Sequence, residues 1–236
     1  MTQLILIPGL ASDAVMWQAQ LPVLPAHFRT QVTDVHARHD TIEDMARALL
    51  DETSGDLILC GASMGGIVAM EGARQAPKRI RGLALLGTNA RPETDDIRSL
   101  RELAITLFES GRAAEVLRAN VALAFHASRA KDAQLVQTYL DFVLRAGAGH
   151  LVRQNRAIMA RPDARLHLPS ITCPVLVLCG DSDQLTPPEC SREIASLVPT
   201  AQLEMVPQCG HMLTMEQPEI VNTALLRWLQ RFTPVS

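Results

Sequence analysis

Three side chains have the types and the chain order for nucleophilic acyl chemistry: Ser63, an acid in the Asp181–Asp183 turn, and His211. A serine hydroxyl is a poor nucleophile near neutral pH and needs a base within hydrogen-bond reach. The base in turn needs an acid that fixes its tautomer. Ser63 is the centre of Gly61-Ala62-Ser63-Met64-Gly65, a G-x-S-x-G pentapeptide. A bare match of this kind arises by chance in roughly one chain in ten or fifteen of this length, given average glycine and serine usage. Here it follows the apolar run Leu57-Ile58-Leu59-Cys60 and opens into Gly66-Ile67-Val68-Ala69-Met70. Strand, sharp turn and helix in that order make a nucleophile elbow. Such a turn lifts the hydroxyl clear of a sheet, and the helix start beneath it points unpaired N–H groups at any oxyanion formed above. Glycines at 61 and 65 remove the Cβ atoms that would collide where strand and helix nearly touch.

The partners lie at the ends of later strand-like runs. Pro174-Val175-Leu176-Val177-Leu178-Cys179 ends in Gly180, then Asp181-Ser182-Asp183, then Pro187-Pro188, which can begin a helix. An acid just past a strand's carboxyl end sits where open α/β sheets bind ligands. Gln202–Val206 reads as another strand, followed by Pro207-Gln208-Cys209-Gly210-His211 and a helix carrying Glu216 through Gln230. The order serine, acid, histidine is the one a nucleophile-elbow scaffold uses, and differs from the trypsin-like and subtilisin-like orders.

These stretches, with Leu4-Ile5-Leu6-Ile7-Pro8-Gly9-Leu10 at the start, resemble the α/β-hydrolase superfamily, in its small serine carboxylesterase and lactonase branch. The resemblance runs along nearly the whole chain. It implies a mainly parallel sheet flanked by helices, with a short helical cap. It also implies an oxyanion hole of two backbone amides, which fall here on Met64 and on Leu10, after Pro8-Gly9, with proline where many relatives have histidine. The resembling enzymes carry the acid three residues after the strand-ending glycine, which selects Asp183 as the triad acid and leaves Asp181 to stabilise the turn. Met16-Trp17 with Gln20 resembles a W-x-x-Q stretch that anchors the oxyanion loop, and Trp17 is also a candidate pocket residue.

The elements that must hold these residues recur in a regular pattern. Strand-like runs fall at 3–7, 30–35, 57–60, 80–86, 174–179 and 202–206, most of them separated by helical patterns. In Thr41–Glu52, for example, Ile42, Met45, Ala46, Leu49 and Leu50 share a face, and Thr41 with Asp44 can cap it. Alternation of this kind implies a parallel sheet covered on both faces. It breaks between Asn89 and about Gln154, where Asp96–Glu109, Ala113–Ala124 and Lys131–Arg145 read as helices. The expected division is therefore a core of 1–88 and 156–236 with a cap insertion at 89–155. A cap excludes water and shapes the acyl pocket. Leu107, Phe108, Phe125 and Phe142 are its candidate lining residues, and Gly147-Ala148-Gly149-His150 is a hinge or a turn.

Composition bounds the rest. A chain of 236 residues with 47% hydrophobic and 20% charged residues has an ample core for one large domain. A net charge of −3 carries no basic patch that suggests nucleic acid. No apolar run approaches the ~20 residues of a membrane helix. Met1 leads directly into a strand without a basic leader, which suggests a cytoplasmic protein. Five cysteines, an odd number, fit reduced thiols better than a disulfide framework. Cys209 lies in a loop and reads as a bystander. His36 and His39 lack a third ligand, so no metal site is expected.

The expected function is hydrolysis of a carboxylic ester, lactone or thioester of a small to medium uncharged substrate through an acyl-enzyme, with no cofactor. Alternatives on the same triad are carbon–carbon bond hydrolysis and perhydrolysis. Rivals of other classes are a ligand receptor on a hydrolase scaffold and a carbon–carbon lyase. The resembling dehalogenases and epoxide hydrolases carry aspartate where Ser63 stands, which sets them aside.

Overall fold

In a computed structural model, described over residues 2–232, the strands form one sheet of six parallel strands. They are β1 (Gln3–Ile7), β2 (Arg29–Val32), β3 (Leu57–Ala62), β4 (Ile80–Leu86), β5 (Val175–Gly180) and β6 (Ala201–Val206), in the order β2-β1-β3-β4-β5-β6. Strands β1, β3 and β5 are buried at every position. That is why they read as unbroken apolar runs rather than as alternations: helices cover both faces.

Helices α1 (Val35–Arg38), α2 (Ile42–Glu52) and α3 (Met64–Gln75) precede β4. Thr41 caps α2 as expected, its hydroxyl accepting from Asp44 N at 3.0 Å and donating to the Asp44 carboxylate at 2.8 Å. Ile42, Met45, Ala46, Leu49 and Leu50 are all buried, packing with Ile5, Ile7, Leu59, Leu83, Leu85 and Val177 on one sheet face. The opposite residues of the same strands, among them Leu4, Leu6, Ile58, Leu86 and Leu178, form the other core layer.

The β4–β5 connection contains helices and loops but no strand: α4 (Asp95–Glu109), α5 (Ala113–Ala119), α6 (Val121–Ala124), α7 (Ala133–Ala146) and α8 (Ala148–Ala160). The single helix expected over Ala113–Ala124 is two short ones meeting at Asn120. Gly147, at φ +80°, ends α7 and starts α8. Helix α8 continues past residue 155, with Leu151 and Val152 in one core layer and Ala157 and Ile158 in the other. After β5 come α9 (Pro188–Leu197), then α10 (Leu213–Glu216) and α11 (Pro218–Leu229) following β6. The continuous helix expected through 216–230 is interrupted at Gln217, because Pro218 has no N–H to donate into a preceding turn and takes the first helical position of α11 instead. No helix among the described residues is long and apolar enough to cross a membrane.

Candidate active site

The chain reverses its winding direction between β1 and β3, and the site lies at the carboxyl ends of the strands around that switch point. Ser63 joins β3 to α3 with φ +53° and ψ −119°, a conformation that costs a non-glycine residue about 1–3 kcal/mol. Its N–H donates to Leu86 O at 2.9 Å, and its carbonyl accepts from the Thr88 hydroxyl at 2.7 Å. The turn closes tightly. A Cβ on Gly61 would come within 2.2 Å of Gly65 O, and one on Gly65 within 2.1 Å of Ile7 O, so both positions exclude any side chain.

Asp183 and His211, following β5 and β6, meet through an Asp183 Oδ2–His211 Nδ1 hydrogen bond of 2.8 Å. The other carboxylate oxygen, Oδ1, accepts from Leu185 N and Thr186 N at 2.9 Å each, and the Thr186 hydroxyl donates to Oδ2 at 2.8 Å. Burial pushes the Asp183 carboxyl upward, but the His211 charge and the Thr186 hydrogen bonds outweigh it and hold the group below the usual aspartate range. Burial likewise pulls His211 down, and the Asp183 carboxylate more than offsets it, leaving the imidazole above 6.5. Gly87 sits between serine and pair. It follows the residue that accepts from Ser63 N, and at φ +49° a Cβ there would lie 3.2 Å from Asp183 Oδ2 and 3.5 Å from His211 Nδ1. Among the described residues no hydrogen bond joins Ser63 Oγ to His211, a contact that commonly tightens only with substrate.

Leu10 and Met64 N–H, expected to face an oxyanion, donate to no acceptor among the described residues. The loop around Leu10 is nonetheless rigidly tied, with Ser12 N donating to Gly9 O at 3.1 Å. A Cβ on Gly9 would lie 3.2 Å from Ser63 Cβ, which sets this loop directly against the serine. Ala11, Ser63 and Gln208 are the non-glycine residues with positive φ among those described. One lies on the Leu10 loop, one at the elbow and one on the loop before His211, so the backbone strain is concentrated at this site.

Asp181 accepts locally from the Ser182 hydroxyl at 2.8 Å, and its carboxylate also accepts from Gln208 N at 3.0 Å and Cys209 N at 3.3 Å, which braces the loop before His211. Burial pushes the Cys209 thiol far up, so it is no thiolate nucleophile. Trp17 is fully buried, and Gln20 donates to Thr214 O at 3.2 Å and Asn222 Oδ1 at 3.0 Å, pinning the segment after the Leu10 loop to the start of α10. Phe108, Phe125 and Phe142 are 4%, 1% and 1% exposed; Phe125 and Phe142 stack edge-on against Tyr139. Their rings fill the interior of the β4–β5 connection, and only Leu107 of the proposed lining is half-buried. His36 Nε2 bonds Ser12 O at 2.8 Å.

Glu216, which sequence reasoning did not single out, is 3% exposed and accepts from Gly210 N and Met212 N on Oε1 (3.1 Å each) and from His126 N on Oε2 (2.8 Å). One carboxylate thus braces the His211 loop and the end of α6 together, and His211 N donates to Ala124 O at 2.9 Å across the same seam. Its position five residues after a histidine was the only local signal. Every neighbour is a donor, so Glu216→Gln would turn an NH₂ toward an N–H. The variant is expected to lose about 1–3 kcal/mol of unfolding free energy, measured by urea denaturation. An unchanged midpoint would show that the loop does not depend on this carboxylate.

A family model described as serine aminopeptidase, S33 matches residues 23–218. A pimeloyl-[acyl-carrier protein] methyl ester esterase from Aromatoleum aromaticum is 31% identical, over 92% of this chain and 93% of its own length. A thermophilic esterase from Thermogutta terrifontis, solved with malate bound, superposes with a TM-score of 0.88 at 28% identity, covering 98% of this chain and 90% of its own. The enol-lactonase of Burkholderia xenovorans has the same fold, with a TM-score of 0.88 at 22% identity, covering 98% of this chain and 92% of its own.

Proposed function

Because the chain belongs to the serine aminopeptidase S33 family of α/β-hydrolases and is a hydrolase, we propose that it cleaves a carboxylic ester, lactone or thioester through Ser63, His211 and Asp183. The observation that carries this reading is the Asp183–His211 hydrogen bond beside the strained Ser63 turn. Asp183 holds the imidazole with its proton on Nδ1, leaving Nε2 free to accept the Ser63 proton. The Ser63 oxygen adds to the substrate carbonyl, and the developing oxyanion accepts from Leu10 and Met64 N–H. Those two donors sit on rigid backbone and need no reorganisation as charge develops. His211 then returns the proton to the departing alcohol or thiol. A water, deprotonated by the same imidazole, releases the acid and restores Ser63.

Residues 89–155 act as the cap, and the substrates are small to medium uncharged esters; ester and lactone cleavage are the activities named for the relatives. The aromatic ladder of Phe125, Tyr139 and Phe142 stiffens this cap. Turnover of p-nitrophenyl esters from acetate to octanoate tests the reading. The expected result is hydrolysis with an optimum at short to medium chains, and a fluorophosphonate adduct located on Ser63 by mass spectrometry. Folded protein that turns over none of the esters and leaves Ser63 unlabelled would refute it.

A further inference from the structure

We propose that Gln154, on α8, is a positioning residue that holds the oxyanion loop in its donating conformation; this rests on the serine-hydrolase reading. The Gln154 carboxamide is 2% exposed and bridges two groups of opposite demand. Its Oε1 accepts from Ala11 N at 2.7 Å, and its Nε2 donates to His36 O at 2.9 Å. An N–H on one side and a carbonyl on the other are satisfied only by a group that accepts and donates at once, which fixes the amide orientation.

Ala11 is the residue after the proposed donor Leu10, and its φ of +56° is one that an L-residue keeps only where its surroundings impose it. The neighbouring groups are held too. Ser12 N donates to Gly9 O, and the Ser12 hydroxyl to Leu10 O at 3.3 Å. His36 donates from Nε2 to Ser12 O, since that carbonyl can only accept. Burial keeps this imidazole below its ordinary range and therefore neutral. His36 thus grips Ser12 through its ring and Gln154 through its carbonyl. With Ala11 N and Ser12 N taken, the N–H of Leu10 has no acceptor among the described residues and is left for the substrate. Among the groups holding the loop, Gln154 supplies the acceptor for the strained residue, and it does so from the cap, 143 residues away. Nearby, Arg145 on α7 pairs with Asp13 at 2.8 Å at the protein surface, a second strut from the cap to the same loop.

The test compares wild type, Gln154→Met and Gln154→Glu on one p-nitrophenyl ester, with inhibition by a matching trifluoromethyl ketone, whose adduct with Ser63 carries the oxyanion. Methionine keeps the length and removes both hydrogen bonds. Its kcat is expected to fall on the order of 10–100-fold, short of the roughly 10²–10³-fold loss of a whole donor. KM should stay within about threefold, and ketone affinity should fall in step with kcat, as required of an interaction made in the transition state. Glutamate restores the donor–acceptor pair only when protonated, so its kcat relative to wild type should climb as pH is lowered. That ratio would not move if Gln154 merely filled space. Gln154→Met with kcat within twofold of wild type, a kcat loss without loss of ketone affinity, or a flat Gln154→Glu ratio would each overturn the proposal. Wild type without Ser63-dependent turnover would instead overturn the serine-hydrolase reading on which it rests.

Discussion

Ser63→Ala is expected to lower kcat on p-nitrophenyl butyrate by about 10⁴–10⁶-fold while leaving KM within a few-fold. The size follows from what the hydroxyl does. Without it no acyl-enzyme forms, His211 has no proton to take, and what remains is binding plus two backbone donors acting on a water-dependent reaction. The substitution removes one oxygen from a side chain that makes no hydrogen bond among the described residues, while Ser63 N and Ser63 O keep their bonds to Leu86 and Thr88. Alanine at φ +53° bears the same strain as serine, so the thermal midpoint should stay close to wild type. Loss of turnover in a protein of unchanged stability therefore reports chemistry, not folding. Steady-state kinetics with circular dichroism melting checks both halves, and residual activity above roughly one per cent of wild type would remove Ser63 from the mechanism.

Asp183→Asn is expected to lower kcat by about 10⁴-fold, because the amide presents the wrong partner to the imidazole. The direction of its flip is dictated by the backbone. Leu185 N and Thr186 N both donate to Oδ1, so the asparagine oxygen must occupy that place and the NH₂ must face His211 Nδ1. An N–H there forces Nδ1 to accept, which puts the ring proton on Nε2, where it blocks abstraction from serine. The pH dependence separates this from simple misfolding. In wild type the working base is neutral His211, whose pKa lies above 6.5 because Asp183 outweighs burial. Activity should therefore rise with pH and reach half its maximum above 6.5. In Asp183→Asn the carboxylate is gone and burial is left to dominate, so the residual activity should have its midpoint shifted downward. A variant with an unshifted midpoint and near-wild-type kcat would mean that Asp183 does not orient His211.

Several features of the site were readable before any coordinates. Gly61 and Gly65 were readable as collision points, and in the structure a Cβ at either would strike a backbone oxygen. The resemblance to α/β-hydrolases, through the acid's offset from Gly180, selects Asp183 over Asp181, and Asp183 is the carboxylate that bonds His211 while Asp181 braces the loop before it. The phenylalanines of the β4–β5 connection were less legible. Apolar residues at helical spacing look the same whether they face a ligand or one another, and Phe125 and Phe142 face Tyr139. Thr186 gave no signal at all, since a hydroxyl that completes the hydrogen bonds of a carboxylate has no signature beyond its proximity.

The division between what the chain determined locally and what the tertiary structure decided follows the range of the forces involved. Apolar runs, proline and glycine positions and helix caps act over a few residues, so the six strands, the elbow and the order serine, acid, histidine could be read from the sequence alone. The strand order that aligns the ends of β1, β3, β5 and β6 along one edge arises from packing two apolar faces at once, a global condition. Glu216 reaching His126 across 90 residues, and Gln154 reaching Ala11 across 143, depend on that alignment. A buried N–H must find an acceptor somewhere, but only the folded chain determines which side chain is there to provide it.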